Sequence, residues 1–176
     1  MANREALRDL QARLASRLQA ARSEGISVSW LAVRAGGSNL LFPLGQSGEI
    51  FPVSSLQPVP YSKSWFRGVL NIRGGLQGVV DVAAFLEADA SVSRSETPAQ
   101  APCVVTLNAA LELNCALQVD ALQGLRGGSD FVSSSPAPSS APAYFGNQFM
   151  DAAGLPWQEI NLRVLSQSPS FLSISA

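Results

Sequence analysis

The chain has 176 residues, of which 14% are charged, with a formal net charge of −1 and no histidine. That length suits one fold whose core is large enough to need no metal or disulfide, and so weak a charge argues against a nucleic-acid binder. Without histidine the usual general base, the Ser–His and Cys–His pairs and most zinc or iron sites are gone.

Residues 3–22 carry Leu7, Leu10, Leu14 and Leu18 at three- and four-residue spacing, which predicts an amphipathic helix. Asn3 is its candidate cap and Gly25 its stop. Arg4, Arg8, Arg13, Arg17 and Arg22 lie around its polar surface. Either this is a solvated face on a helix packed against the domain, or an arm that docks on a partner. Residues 1–24 are set apart as a helical extension. Beyond Gly25 the pattern changes to strands. Residues 27–35 and 39–44 flank Gly36-Gly37-Ser38 and predict a hairpin, with Pro43 placing the second strand at an edge or bulge. Residues 48–53 form another short strand, and 57–65 a Pro-punctuated loop. Residues 69–72 and 76–82 predict a second hairpin around a Gly74-Gly75 turn, followed by a short helix from Val82 to Leu86. Residues 88–101 are small and polar, as in a linker. Strands resume at 103–109, 111–120 and 121–125. Residues 126–143, rich in Gly, Ser, Pro and Ala, predict a mobile loop. Asp151 to Gly154 predict a turn, 160–165 a short helix and 170–175 a last strand. Many short strands, few helices and no βαβ alternation point to a β-barrel or sandwich.

The chemical inventory is thin. There is no GxxxxGK[ST] or GxGxxG, and the acidic residues are scattered. No cofactor and no enzymatic activity are expected. No apolar run approaches the ~18–20 residues of a membrane span. The opening MANREALRDL is charged, unlike a secretory leader. The expectation is therefore a cytoplasmic protein with reduced cysteines. Cys103 and Cys115 flank a predicted hairpin, either as small core residues or facing each other across it. Trp30, Trp65 and Trp157 are core or interface anchors.

The densest signal is WFRGVLNIRGGLQGVVDV, Trp65 to Val82, an apolar hairpin with a cation at its turn. Pro60, Gly68-Val69, Asn71, Arg73-Gly74 and Val79-Val80-Asp81 resemble the signature of CheW-domain proteins, the coupling proteins of bacterial chemosensory arrays. Glu49-Ile50 upstream and CALQVDAL (115–122) downstream add to the likeness, which runs in outline from Ser27 to Leu165. The resemblance implies a mainly β fold of two SH3-like five-stranded barrels around a shared core. Lobe one would span about 25–87 and lobe two about 102–165, with the chain termini completing the barrels. It implies a non-enzymatic adaptor, in the branch serving type IV pilus twitching motility. The implied partners are a chemoreceptor cytoplasmic tip, the regulatory domain of a CheA-type histidine kinase, and further CheW-like proteins. No nucleic acid and no membrane insertion are implied. The protein would be cytoplasmic, recruited to membrane-associated arrays. Receptor contact would fall to Arg73, Asn71, Gly74 and Val69, and kinase contact to Glu49, Ile50 and Ser47. One departure is Gln46-Ser47-Gly48, where many coupling proteins carry aliphatic residues. Residue by residue, alternatives stay open. Arg73 could instead satisfy turn carbonyls or pair with Asp81. Asn71 and Asp81 fit structural roles as a turn hydrogen bond and a helix cap. A small-molecule-binding β-barrel, with a pocket of Gly-rich turns and tryptophans, is the alternative function.

Overall fold

The computed structural model describes residues 11–13, 29–95 and 102–176. Of the predicted leading helix, only 11–13 fall within this range; they are helical and exposed. Strands β1 (Trp30–Ala35) and β2 (Ser38–Pro43) form the first hairpin, on Gly36 and Gly37 with φ of 58° and 84°. A 3-10 turn, Leu44–Gln46, leads into β3 (Ser47–Pro52). Then come β4 (Phe66–Ile72), β5 (Gly75–Asp81) and helix α1 (Val82–Ala90). The second half contributes β6 (Cys103–Leu107), β7 (Cys115–Val119), β8 (Ala121–Arg126), β9 (Phe131–Ser135), β10 (Phe145–Asp151) and β11 (Pro156–Ile160). Two short helices, α2 (Leu162–Gln167) and α3 (Pro169–Leu172), follow.

The strands form two sheets, ordered β8-β1-β2-β11-β10-β9 and β3-β6-β7-β5-β4. Each curls around its own apolar interior. In the five-stranded sheet, Leu70, Val79, Val104 and Ala116 come one each from β4, β5, β6 and β7, and Phe51 of β3 packs against them. The chain beyond β3 crosses to the far edge, where Gln57 and Val69 exchange backbone hydrogen bonds of 2.9 and 2.8 Å. In the six-stranded sheet, Trp30, Ala32, Leu41 and Trp157 fill the interior with Phe131 and Phe149. Side chains alternate across a strand, so the opposite faces meet in a third cluster between the lobes. Leu31 and Val33 of β1, Phe42 of β2, Val105 of β6 and Leu117 of β7 lie there with Trp65, Phe85 and Phe171. The fold is mainly β, with two SH3-like lobes around a shared core.

Several predicted features shift. One lobe has six strands where five were expected. Each sheet draws on both halves of the chain: β1 and β2 join β8–β11, while β6 and β7 join β3–β5. Helix α1 runs past Leu86 to Ala90, into the predicted linker, of which 96–101 lie outside the described residues. The predicted loop 126–143 contains β9, which pairs with β10. Residues 111–120 are not one strand. A 3-10 turn ends there in Glu112 at φ 54°, and β7 starts only at Cys115. Instead of a last strand, Pro169 starts helix α3, leaving one bridge between Ser175 and Ser62. Cys103 faces Val119 across the β6–β7 pair, so Cys115 lies at the other end of it. Both cysteines are free and buried. Burial raises both thiol pKa values, that of Cys115 to about 12, so neither is a ready thiolate. The three tryptophans are all buried in the cores.

Candidate functional site

Ile72 pairs with Gly75, so the turn of the β4–β5 hairpin is Arg73-Gly74, one residue earlier than predicted. Their φ values, 51° and 81°, are the two positive angles of a type I′ turn. Glycine adopts this freely and arginine does not. Asn71 supports the turn: its Oδ1 accepts from the Gly74 N–H at 3.0 Å. The turn lifts the Arg73 side chain off the sheet and leaves it 71% exposed.

Arg73 does not pair with Asp81. Its Nη1 donates to Glu49 Oε1 at 3.0 Å, and its guanidinium lies 5.7 Å from the ring centre of Phe51. Asp81 caps α1, accepting from the Ala84 N–H at 3.1 Å, and pairs with Arg94 at 3.5 Å. The residue expected at the receptor therefore touches one expected at the kinase. An exposed ion pair contributes about 0–1 kcal/mol, and an exposed cation–π contact about 0.5–1 kcal/mol. Together they orient the guanidinium while leaving it free to exchange partners.

Local packing fixes Glu49. Strand β3 bulges against β6 between Ser47 and Ile50. The Glu49 N–H donates to Thr106 Oγ1 at 2.8 Å, and that hydroxyl donates back to the Glu49 carbonyl at 3.3 Å. A Cβ on Gly48 would run into Thr106 and the backbone of Leu107. This close approach accounts for glycine at position 48. Ser47 is buried and its Oγ donates to the Pro43 carbonyl at 3.0 Å, so its side chain is engaged inside the protein. Ile50 is exposed.

The outer face of the hairpin completes the surface. Val69 pairs with Gly78 and Asn71 with Leu76. Val69 is half-buried, whereas Leu76 is among the exposed large apolar residues. The structure thus groups Arg73, Gly74 and Asn71 with Glu49 and Ile50 nearby, and places Val69 lower on the same hairpin. Phe51, Thr106 and Leu76 were not anticipated. Period-two alternation in β5 could have flagged Leu76. Thr106 could not be found that way, because it meets Glu49 from 57 residues away.

Among the described residues, no group of three or more His, Cys, Asp or Glu is placed to hold a metal ion. No described helix is long and apolar enough to cross a membrane. The structure thus sets an exposed cation at the Arg73-Gly74 turn against a carboxylate on β3.

Comparison with known proteins gives the family and the fold. The CheW-like domain family model matches residues 29–144. The chain belongs to the CheW-like family. It is 33% identical to Protein PilI of Pseudomonas aeruginosa over 84 residues, 48% of this chain and 47% of that protein. The alignment thus spans about half the length of that curated relative. The fold also matches the crystal structure of scaffolding protein TtCheW from Thermoanaerobacter tengcongensis. The TM-score is 0.62 at 12% identity, covering 77% of this chain and 89% of that one.

Proposed function

We propose that this protein is a non-catalytic adaptor that couples a chemoreceptor tip to a CheA-type histidine kinase in the chemosensory array controlling type IV pili. The observation that carries this reading is the exposed Arg73–Glu49 pair on a rigid turn. It links the two elements the family resemblance assigns to receptor and kinase, β4–β5 and β3. A receptor tip is helical, and the exposed Leu76 and half-buried Val69 offer apolar contact beside the cation. A receptor carboxylate could take over the Arg73 guanidinium from Glu49 in a charge-assisted contact. Individually modest interfaces gain strength when repeated through a lattice. The likeness to PilI supports the type IV pilus assignment. The small-ligand alternative gains nothing from the lobes, whose interiors are filled by Trp30, Trp157, Leu70 and their neighbours.

The test is affinity purification from native cells followed by mass spectrometry. The expected result is recovery of both a methyl-accepting receptor and a histidine kinase. Recovery of the folded protein with neither would overturn the proposal.

A further inference from the structure

Helix α1 leaves the five-stranded sheet at Asp81, whereas Gly36 turns β1 into β2 of the six-stranded sheet. The two meet closely: a Cβ on Gly36 would lie 2.8 Å from that of Ala83. Ser91 ends α1 in a left-handed conformation, φ 54°, and turns the chain back. Residues 91–95 then run over both elements. Val92 packs against the shared core, and Arg94 Nη1 pairs with Asp81 Oδ2 at 3.5 Å. The Ser95 N–H donates to the Gly36 carbonyl at 2.7 Å. Glycine at 37 allows this approach, since a Cβ there would lie 2.6 Å from that of Ser95. From the other side, the Gly36 N–H donates to Asp120 Oδ2 at 2.7 Å. Asp120 lies where the chain passes from β7 of one sheet to β8 of the other. Both backbone groups of Gly36 are thus engaged, one by that crossing and one by residues 91–95.

The two holds differ in strength. Asp120 directly follows the buried end of β7, Val119. Of residues 91–95, Val92 is half-buried and the other four are exposed. The Arg94 side chain is 42% exposed, and an ion pair so placed holds weakly and is screened by salt. A segment held by a half-buried valine, an exposed ion pair and a hydrogen bond to a turn opens at a fraction of the free energy of global unfolding. Beneath it lies a small cleft between Ala35 and Gly36 of the hairpin, Ala83 and Leu86 of α1, and Val92 and Arg94. We propose that residues 91–95 form a releasable strap that locks the β1–β2 hairpin to α1, and so one lobe to the other. Opening at Arg94 frees the hairpin turn while both lobes stay folded. Asp81 serves two ends, its Oδ1 capping α1 and its Oδ2 holding the strap. The inference does not depend on the receptor and kinase reading.

The test is amide hydrogen exchange in the full chain, read residue by residue by NMR. In wild type the Ser95 N–H is expected to be protected, but less than the amides of β7. Arg94→Glu changes an exposed position and sets a second carboxylate against Asp81. It is expected to speed exchange at Ser95 by at least about fivefold, and at Gly36 as the turn loosens, with the β7 amides unchanged. Equal Ser95 exchange in the two proteins would overturn the proposal, as would a Ser95 amide that exchanges at the unprotected rate in wild type. A faster Ser95 beside an unchanged Gly36 would make the segment a passive loop and overturn the lock. Ser95 and β7 amides that exchange together would mean that the segment opens only with the whole fold, and also overturn it.

Discussion

Arg73 adopts a left-handed backbone that costs a residue with a Cβ about 1–2 kcal/mol, and the Asn71–Gly74 hydrogen bond helps offset that cost. A structural turn would be better served by glycine at that position. The Asn71 and Asp81 roles, a turn acceptor and a helix cap, were legible because both act on residues three positions away. The Arg73–Glu49 pair was not, because it joins residues 24 apart through a sheet the sequence does not spell out. Asp151 invites a pH experiment at this scale. Its carboxylate accepts from the Trp157 indole at 3.0 Å and from the Leu155 and Ala153 N–H groups at 2.9 Å each. The Trp157 bond, followed by the Leu155 bond, lowers its pKa below the ordinary aspartate value, against the opposing effect of burial. A depressed folded-state pKa contributes stability above the unfolded value, about 3.9, and that stability is lost as pH falls through the folded one. The melting temperature of the wild type should therefore fall on acidification below about pH 4. Asp151→Asn should melt lower at neutral pH and show a smaller acid-induced fall. Parallel melting curves for the two proteins would contradict this.

Elements with a strong local signal were legible, and those that depend on distant partners were not. The β1–β2 and β4–β5 hairpins carry glycine at their two-residue turns between apolar runs. The polar, Ser-rich β9 gave no such signal, and it is a strand because β10 supplies its hydrogen bonds. SFLSIS alternates like a strand, yet Pro169 sits at a helix start and Phe171 turns into the shared core. Gly68 shows the same dependence on a remote partner. It sits at φ 123° beside a bulge, and a Cβ there would overlap the carbonyl of Gln57. That overlap is with backbone, so a rotamer change gives no relief. Gly68→Ala is expected to destabilise the protein by about 1–3 kcal/mol, read from denaturant midpoints at constant slope. An unchanged midpoint would show that the Gln57 crossover does not close the lobe rigidly.

At the scale of the whole molecule, the two-lobed architecture was legible through the family signature, but the division of strands between lobes was not. Sequence order suggests one lobe per half, whereas the pairing of β1 with β8, and of β5 with β7, crosses the halves. Neither sheet can form without strands from both. The shared core should therefore make unfolding a single transition. Leu117 is fully buried between the lobes, and Leu117→Ala should cost about 2–5 kcal/mol. It should lower the midpoints seen by tryptophan fluorescence and by far-ultraviolet dichroism equally. Separated midpoints would mean that the lobes unfold independently. The proposed adaptor role is also a property of the whole molecule, since it needs a rigid body that presents Arg73. The most direct measurement is the affinity of Arg73→Glu for a chemoreceptor tip fragment, with the variant's thermal unfolding as a fold control. Loss of an exposed pair leaves stability within about 1 kcal/mol of wild type, while loss of a desolvated interface arginine costs about 2 kcal/mol or more of binding. The account predicts a normally folded variant whose receptor affinity falls at least about thirtyfold; wild-type affinity in that folded variant would contradict it.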